Sequence, residues 1–172
     1  MNDRQSRNSK NDDSENIDHA KKEMLKSIAT LLQEIVDEQG EKKENKKSIF
    51  TSRNVPGISI EKYLERLIRY TKLETATLIS VLIYIDRICE MNKLQITKYS
   101  VHRLLLSAVV MSIKINEDDF YSNAYYSKVG GITLSEINTL EDEFLTLIDF
   151  KLWIDIKLFN KYKMYLSKYD KE

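Results

Sequence analysis

A chain of 172 residues is long enough for one domain with its own core but short for two. Four glycines and one proline are too few breakers for a turn-rich β architecture, so the fold class read here is all-α. Lys and Arg number 27, as do Asp and Glu, so no bulk positive charge exists to hold nucleic acid or an anionic membrane. Cys89, the single cysteine, rules out an internal disulfide and gives no sign of an oxidising compartment. With no apolar signal core in the first sixteen residues, and no uncharged run longer than the eleven residues Thr75 to Ile85, a cytoplasmic or nuclear location is expected and no membrane span.

Residues 1–16 are polar and charged and are expected to form a disordered tail. Over 17–39, Met24, Leu25, Ile28, Leu31, Leu32, Ile35 and Val36 recur at three- and four-residue spacing, which predicts an amphipathic helix ending before Gly40. Residues 40–54, with the run EKKENKK, read as a charged linker that lets this helix move. Pro56-Gly57 then opens a domain placed at 55–154.

Between Ile58 and Val129 lie 72 residues without glycine or proline, divided only by capping signals. Ser59 precedes a first helix with Ile60, Leu64, Leu67 and Ile68 inward. Thr71 and Glu74 have capping-box spacing and predict the start of a second helix, which runs to about Met91. Thr97 is read as the cap of a third, in which Leu104 to Ala108, Val109, Val110, Met111 and Ile113 are apolar almost all round, placing it at the domain centre. A short aromatic helix over Phe120 to Val129 ends at Gly130-Gly131. Thr133 and Glu136 form a second box, opening a fifth helix with Ile137, Leu140, Phe144, Leu145, Leu147 and Ile148. A last amphipathic helix falls within 155–172.

Catalytic chemistry finds little support. Two histidines, His19 and His102, are too few for a metal cluster or a His-activated nucleophile, and the glycine pair between two helices is no phosphate loop. His102 and Cys89 read as packing residues, and Asp118 with Asp119 as a solvated turn rather than a Mg²⁺ site. No cofactor is expected. Two charges are less easily placed: Glu141 interrupts the apolar arc of the fifth helix, and Lys114 ends the central one. Each has an ordinary explanation, an internal ion pair for Glu141 and a helix C-terminus for Lys114. Charge is also uneven along the chain. Residues 57–114 hold 9 basic and 5 acidic groups, 115–150 hold 1 and 8, and 151–172 hold 6 and 3. An acidic lobe of this kind favours a basic protein partner, with Glu117, Asp118 and Asp119 as candidate contacts, and repels nucleic acid.

Particular strings carry a family resemblance: Tyr84-Ile85-Asp86-Arg87, His102-Arg103-Leu104-Leu105-Leu106-Ser107-Ala108, Ser112-Ile113-Lys114, Asn123 to Ile132 (NAYYSKVGGI), Leu140-Glu141 and Phe144-Leu145. Over about 55–154 the chain resembles a cyclin box, most nearly that of the phosphate-pathway (P-type or Pcl-type) cyclins. The resemblance implies a non-catalytic subunit that docks on the C-helix of a cyclin-dependent protein kinase and rotates it inward, so that a kinase glutamate meets the lysine holding ATP phosphates. It aligns Lys114 and Glu141 with the pair that clasps the segment before that helix, and Ile115, Leu145 and Phe150 with apolar contacts to it. Without its kinase the chain is expected to be monomeric.

The resemblance has gaps. Where cell-cycle cyclins carry a docking motif and a tryptophan, this chain has Pro56-Gly57-Ile58-Ser59-Ile60 and Tyr63, which puts that docking pocket in doubt. Gly57 replaces the arginine that braces Asp86, leaving Arg53 as a substitute. The eighteen residues after Ile154 leave no room for a second box in this sequence, as expected of the single-box type. Two other readings compete: a cyclin-fold adaptor in transcription, which would want a basic groove, and a helical scaffold without a kinase that self-associates through the Ile17 to Val36 stripe.

Overall fold

The computed structural model describes residues 6–40 and 48–169. Seven helices follow in order: α1 (Ser6–Gln39), α2 (Ile60–Thr71), α3 (Thr75–Asn92), α4 (Val101–Asn116), α5 (Asn123–Gly130), α6 (Leu134–Leu147) and α7 (Ile156–Tyr169). The described residues contain no strand, and the chain is all-α.

Apolar periodicity explains the layering. Helix α4 is buried on nearly every side, from Val101 and Leu104 to Ile113, and packs against α2, α3 and α6. It shares the centre with α3, whose run Leu78 to Ile85 is equally buried. That helix has a second layer on its outer side, because α1 and α7 both pack on it. The α1 stripe supplies Leu25, Ile28, Ala29, Leu32 and Val36 to the common core, and α7 supplies Leu166.

The structure bears on three expectations. Helix α1 begins at Ser6, inside the stretch read as a disordered tail. No glycine or proline interrupts the chain before Gly40, so a helix nucleated by its docked stripe extends outward at little cost per residue. Residues 41–47 of the linker lie outside the described residues. The remainder is not loose: Phe50 is fully buried, and Ser52 bonds the Tyr99 carbonyl through both its amide and its hydroxyl, each at 2.8 Å. Asp86, in turn, is braced by Tyr162 of α7, whose hydroxyl donates to its carboxylate at 2.8 Å, while Arg53 is exposed. Burial raises the Asp86 pKa, and this hydrogen bond partly offsets it.

The helix ends show which local signals act. Ser59 accepts from the Lys62 amide, and Thr133 with Glu136 closes a full capping box. Thr71, by contrast, is the last residue of α2 and its hydroxyl donates to the Leu67 carbonyl, so no box opens α3. Thr97 stands ahead of α4, whose N-cap is Ser100, and shapes the preceding turn by accepting from the Ser100 and Val101 amides. Gly131 ends α5 at φ 72°, a conformation glycine reaches without steric penalty. At Gly130 a Cβ would come within 2.4 Å of a Leu106 Cδ, so any larger residue there would make the buried Leu106 side chain shift.

Candidate functional site

Helix α4 delivers Lys114 in its last turn, and α6 delivers Glu141 from its middle. The ammonium donates to both Glu141 oxygens, at 2.8 and 3.0 Å, and to Asn123 Oδ1 at 2.7 Å. These are all three donors a lysine owns. The Asn123 amide closes the network by donating to Glu141 Oε2 and to Asn138 Oδ1, both at 2.8 Å. Lys114 and Glu141 are only 19% and 21% exposed, and the Phe120 ring lies 5.9 Å from the ammonium. Charge-assisted bonds in such a half-dry setting are stronger than surface ion pairs.

Local structure places each member. Ser122 caps α5 by accepting from the Tyr125 amide, which puts Asn123 at the first helical position. Tyr126, fully buried, accepts from the Tyr121 amide at 3.0 Å and ties the preceding loop to α5. At the start of α6, Glu136 accepts from the Thr133 amide at 2.8 Å and from Arg103 at 3.1 Å. Those two bonds hold its carboxyl below the usual carboxylate range, the amide contributing most. Arg103, further along the polar side of α4, therefore serves the α6 cap and not the Lys114 network.

The flanking residues sort differently. Ile115 is 44% exposed and Phe150 69%, whereas Leu145 is half-buried and packs against the core. Glu117 is drawn into the fold, its carboxylate accepting from the Glu74 amide at 2.8 Å, and so caps α3 from 43 residues away. Asp118 and Asp119 are exposed. Among the described residues, no three His, Cys, Asp or Glu side chains gather as a metal site.

Asn123, a member of this network, and the exposed Trp153 both escaped the sequence reading. Asn123 stood in the sequence only as the first residue of the string NAYYSKVGGI, with no role of its own. Trp153 follows a turn in which Asp149 and Phe150 both take left-handed backbone angles, φ 54° and 52°. Such angles strain non-glycine residues, and they persist only where the surroundings hold them. Here Tyr84 donates to the Leu152 carbonyl at 2.8 Å, Asn92 to that of Leu147 at 2.8 Å, and Arg87 to those of Lys151 and Trp153. The braced turn leaves Trp153 86% exposed beside Phe150 in the chain.

At the position of the doubtful docking pocket, Tyr63 is buried, donates to the Gly130 carbonyl at 2.8 Å and lies 5.1 Å from the His102 ring. His102 Nε2 pairs with the Ile58 carbonyl at 2.7 Å, and that space is filled from within. Burial pushes the Tyr63 hydroxyl and the Cys89 thiol each up to about 12, so neither ionises near neutrality.

The fold is that of an all-α helical domain. The cyclin family profile matches residues 1–152. The chain is 39% identical over 124 residues to Cyclin-U2-1 of Arabidopsis thaliana, covering 72% of this chain and 56% of that protein. It is 37% identical over 121 residues to Cyclin-P3-1 of Oryza sativa subsp. japonica, covering 70% and 51%. It is 38% identical over 132 residues to PHO85 cyclin-7 of Saccharomyces cerevisiae, covering 70% and 46%. The chain belongs to the cyclin family, and it spans about half the length of these relatives.

Proposed function

We propose that this chain is the non-catalytic regulatory subunit of a cyclin-dependent protein kinase, and that the face bearing Lys114, Asn123 and Glu141 receives the kinase's C-helix and the segment before it. The observation that carries the reading is the Lys114–Glu141 pair, 2.8 Å apart and largely shielded, with exposed Ile115 next to it on α4 and exposed Phe150 just beyond α6. An ammonium and a carboxylate already desolvated together can trade their mutual bonds for a partner's backbone carbonyl and amide at little further desolvation cost, while the flanking apolar groups exclude water. Asp118 and Asp119 add an acidic rim that steers a basic partner. The yeast relative is named a PHO85 cyclin, and a kinase of that phosphate-pathway type is the proposed partner.

Titrating purified kinase with the chain tests this directly. Lys114→Ala or Glu141→Ala should weaken association by about 1–3 kcal/mol, the worth of charge-assisted bonds, with circular dichroism and melting nearly intact. A phosphotransfer assay with and without the chain completes it. Unchanged affinity in both variants, or a kinase indifferent to the chain, overturns the proposal.

A further inference from the structure

A second face has the opposite charge. Lys62, Arg66 and Arg69 lie along one side of α2 at spacings of four and three residues, a row of roughly 10 Å at the helical rise. Lys128 of α5 stands across from them, and the two helices border a groove of 520 Å³ that also holds Tyr70, Tyr125 and one acidic residue, Glu65. Beyond Glu65 and Arg69 the groove continues into a smaller one of 210 Å³, to which α1 adds Lys21 and Lys22.

These cations are largely uncommitted. Arg69 pairs with Glu65 at 3.1 Å, but both side chains are at least half exposed and such a pair is weak. Among the described residues no carboxylate comes within ion-pair distance of Lys62, Arg66 or Lys128. Arg66 instead reaches the Lys128 carbonyl at 3.3 Å, which joins the two walls. Tyr125 donates to the Tyr70 carbonyl at 2.6 Å and fixes the aromatic end. In a chain whose basic and acidic residues balance at 27 each, three grouped cations with no carboxylate within ion-pair distance favour an external anion.

We propose that the α2–α5 groove binds a phosphorylated acidic segment of a partner polypeptide. Guanidinium forks suit phosphate oxygens, lysines add undirected charge, and the tyrosines offer apolar surface to the residues between. The row matches about three residues of extended chain. A long nucleic acid suits it less, because a polyanion continuing past the start of α5 meets Glu117, Asp118 and Asp119. The site does not depend on kinase binding, so a failure here leaves the Lys114–Glu141 reading standing.

Fluorescence anisotropy on the purified full chain tests it, with a labelled peptide of alternating phosphoserine and glutamate, its unphosphorylated serine twin, and a labelled DNA duplex. The phosphopeptide should bind at least roughly tenfold more tightly than its twin, and Arg66→Glu with Lys128→Glu should abolish that preference, as loss of charge-assisted bonds requires. Both positions are exposed, so thermal melting should be unchanged; Lys62→Glu gives an independent reading should the double variant prove unstable. Equal binding of the two peptides, a preference that survives these variants, or tighter binding of the duplex overturns the proposal.

Discussion

Lys114 has all three N–H donors engaged, and Asn123 is the only member of its network that contacts both charged partners while carrying no charge itself. It ties the ammonium to the carboxylate. Asn123→Ala should therefore weaken kinase association by about 0.5–1.5 kcal/mol, the worth of an ordinary hydrogen bond. Combined with Glu141→Ala, the losses should be less than additive, because the two act in one network. Additive losses in that double-mutant cycle would remove Asn123 from the mechanism. His102 carries a separate prediction about pH. Burial holds its pKa below the ordinary 6.5, with the Ile58 carbonyl bond opposing. The unfolded chain then takes up a proton before the folded one, so this contribution to stability is complete above pH 6.5 and is lost as pH falls through the depressed folded value. Urea midpoints should decline across that window for the native chain and decline less for His102→Gln; equal slopes would assign the decline to other groups.

At the scale of elements, what could be read in advance was what is local. Ser59, Thr133 and Glu136 act within three residues of their partners, and their caps were legible. The start of α3 was not, because the Glu74 amide is satisfied by Glu117 of a distant loop, which no local motif records. Phe50 was missed for a related reason: it sits in a short irregular segment without periodicity, yet it is fully buried. The site divides in the same way. Glu141 was legible as a charge interrupting an apolar arc, and Lys114 as a charge ending the central helix. Trp153 was not, because its exposure depends on a turn braced by three residues of α3. These differences have measurable consequences. Phe50→Ala should cost about 3–5 kcal/mol, the usual loss for a buried phenylalanine. Thr133→Ala, which removes one cap bond, should cost only about 1 kcal/mol. Denaturant midpoints would order them, and a Phe50 variant as stable as the cap variant would mean that 48–54 is not integral to the domain.

At the scale of the molecule, the terminal helices decide what counts as the folding unit. Composition made α1 look like an appendage joined by a charged linker, but its stripe covers α3, a helix apolar on most of its surface. Helix α7 reinforces the same side through Tyr162 on Asp86, and the Tyr169 hydroxyl meets Glu34 of α1. Removing residues 1–40 would expose α3 and withdraw Leu25, Ile28, Leu32 and Val36 from the core. At roughly 1.5–3 kcal/mol for each large side chain, that loss rivals the whole stability of a typical domain. The truncated chain should therefore lose its cooperative unfolding transition, and with it both the Lys114–Glu141 face and the α2–α5 groove. A self-associating scaffold predicts otherwise, since its stripe would be free to join another copy and its truncated form would be a stable monomer. Sedimentation of the full chain beside denaturation of the truncated one separates the two: a monomer that cannot spare α1 agrees with the buried stripe, and a truncated chain that melts like the full one refutes it.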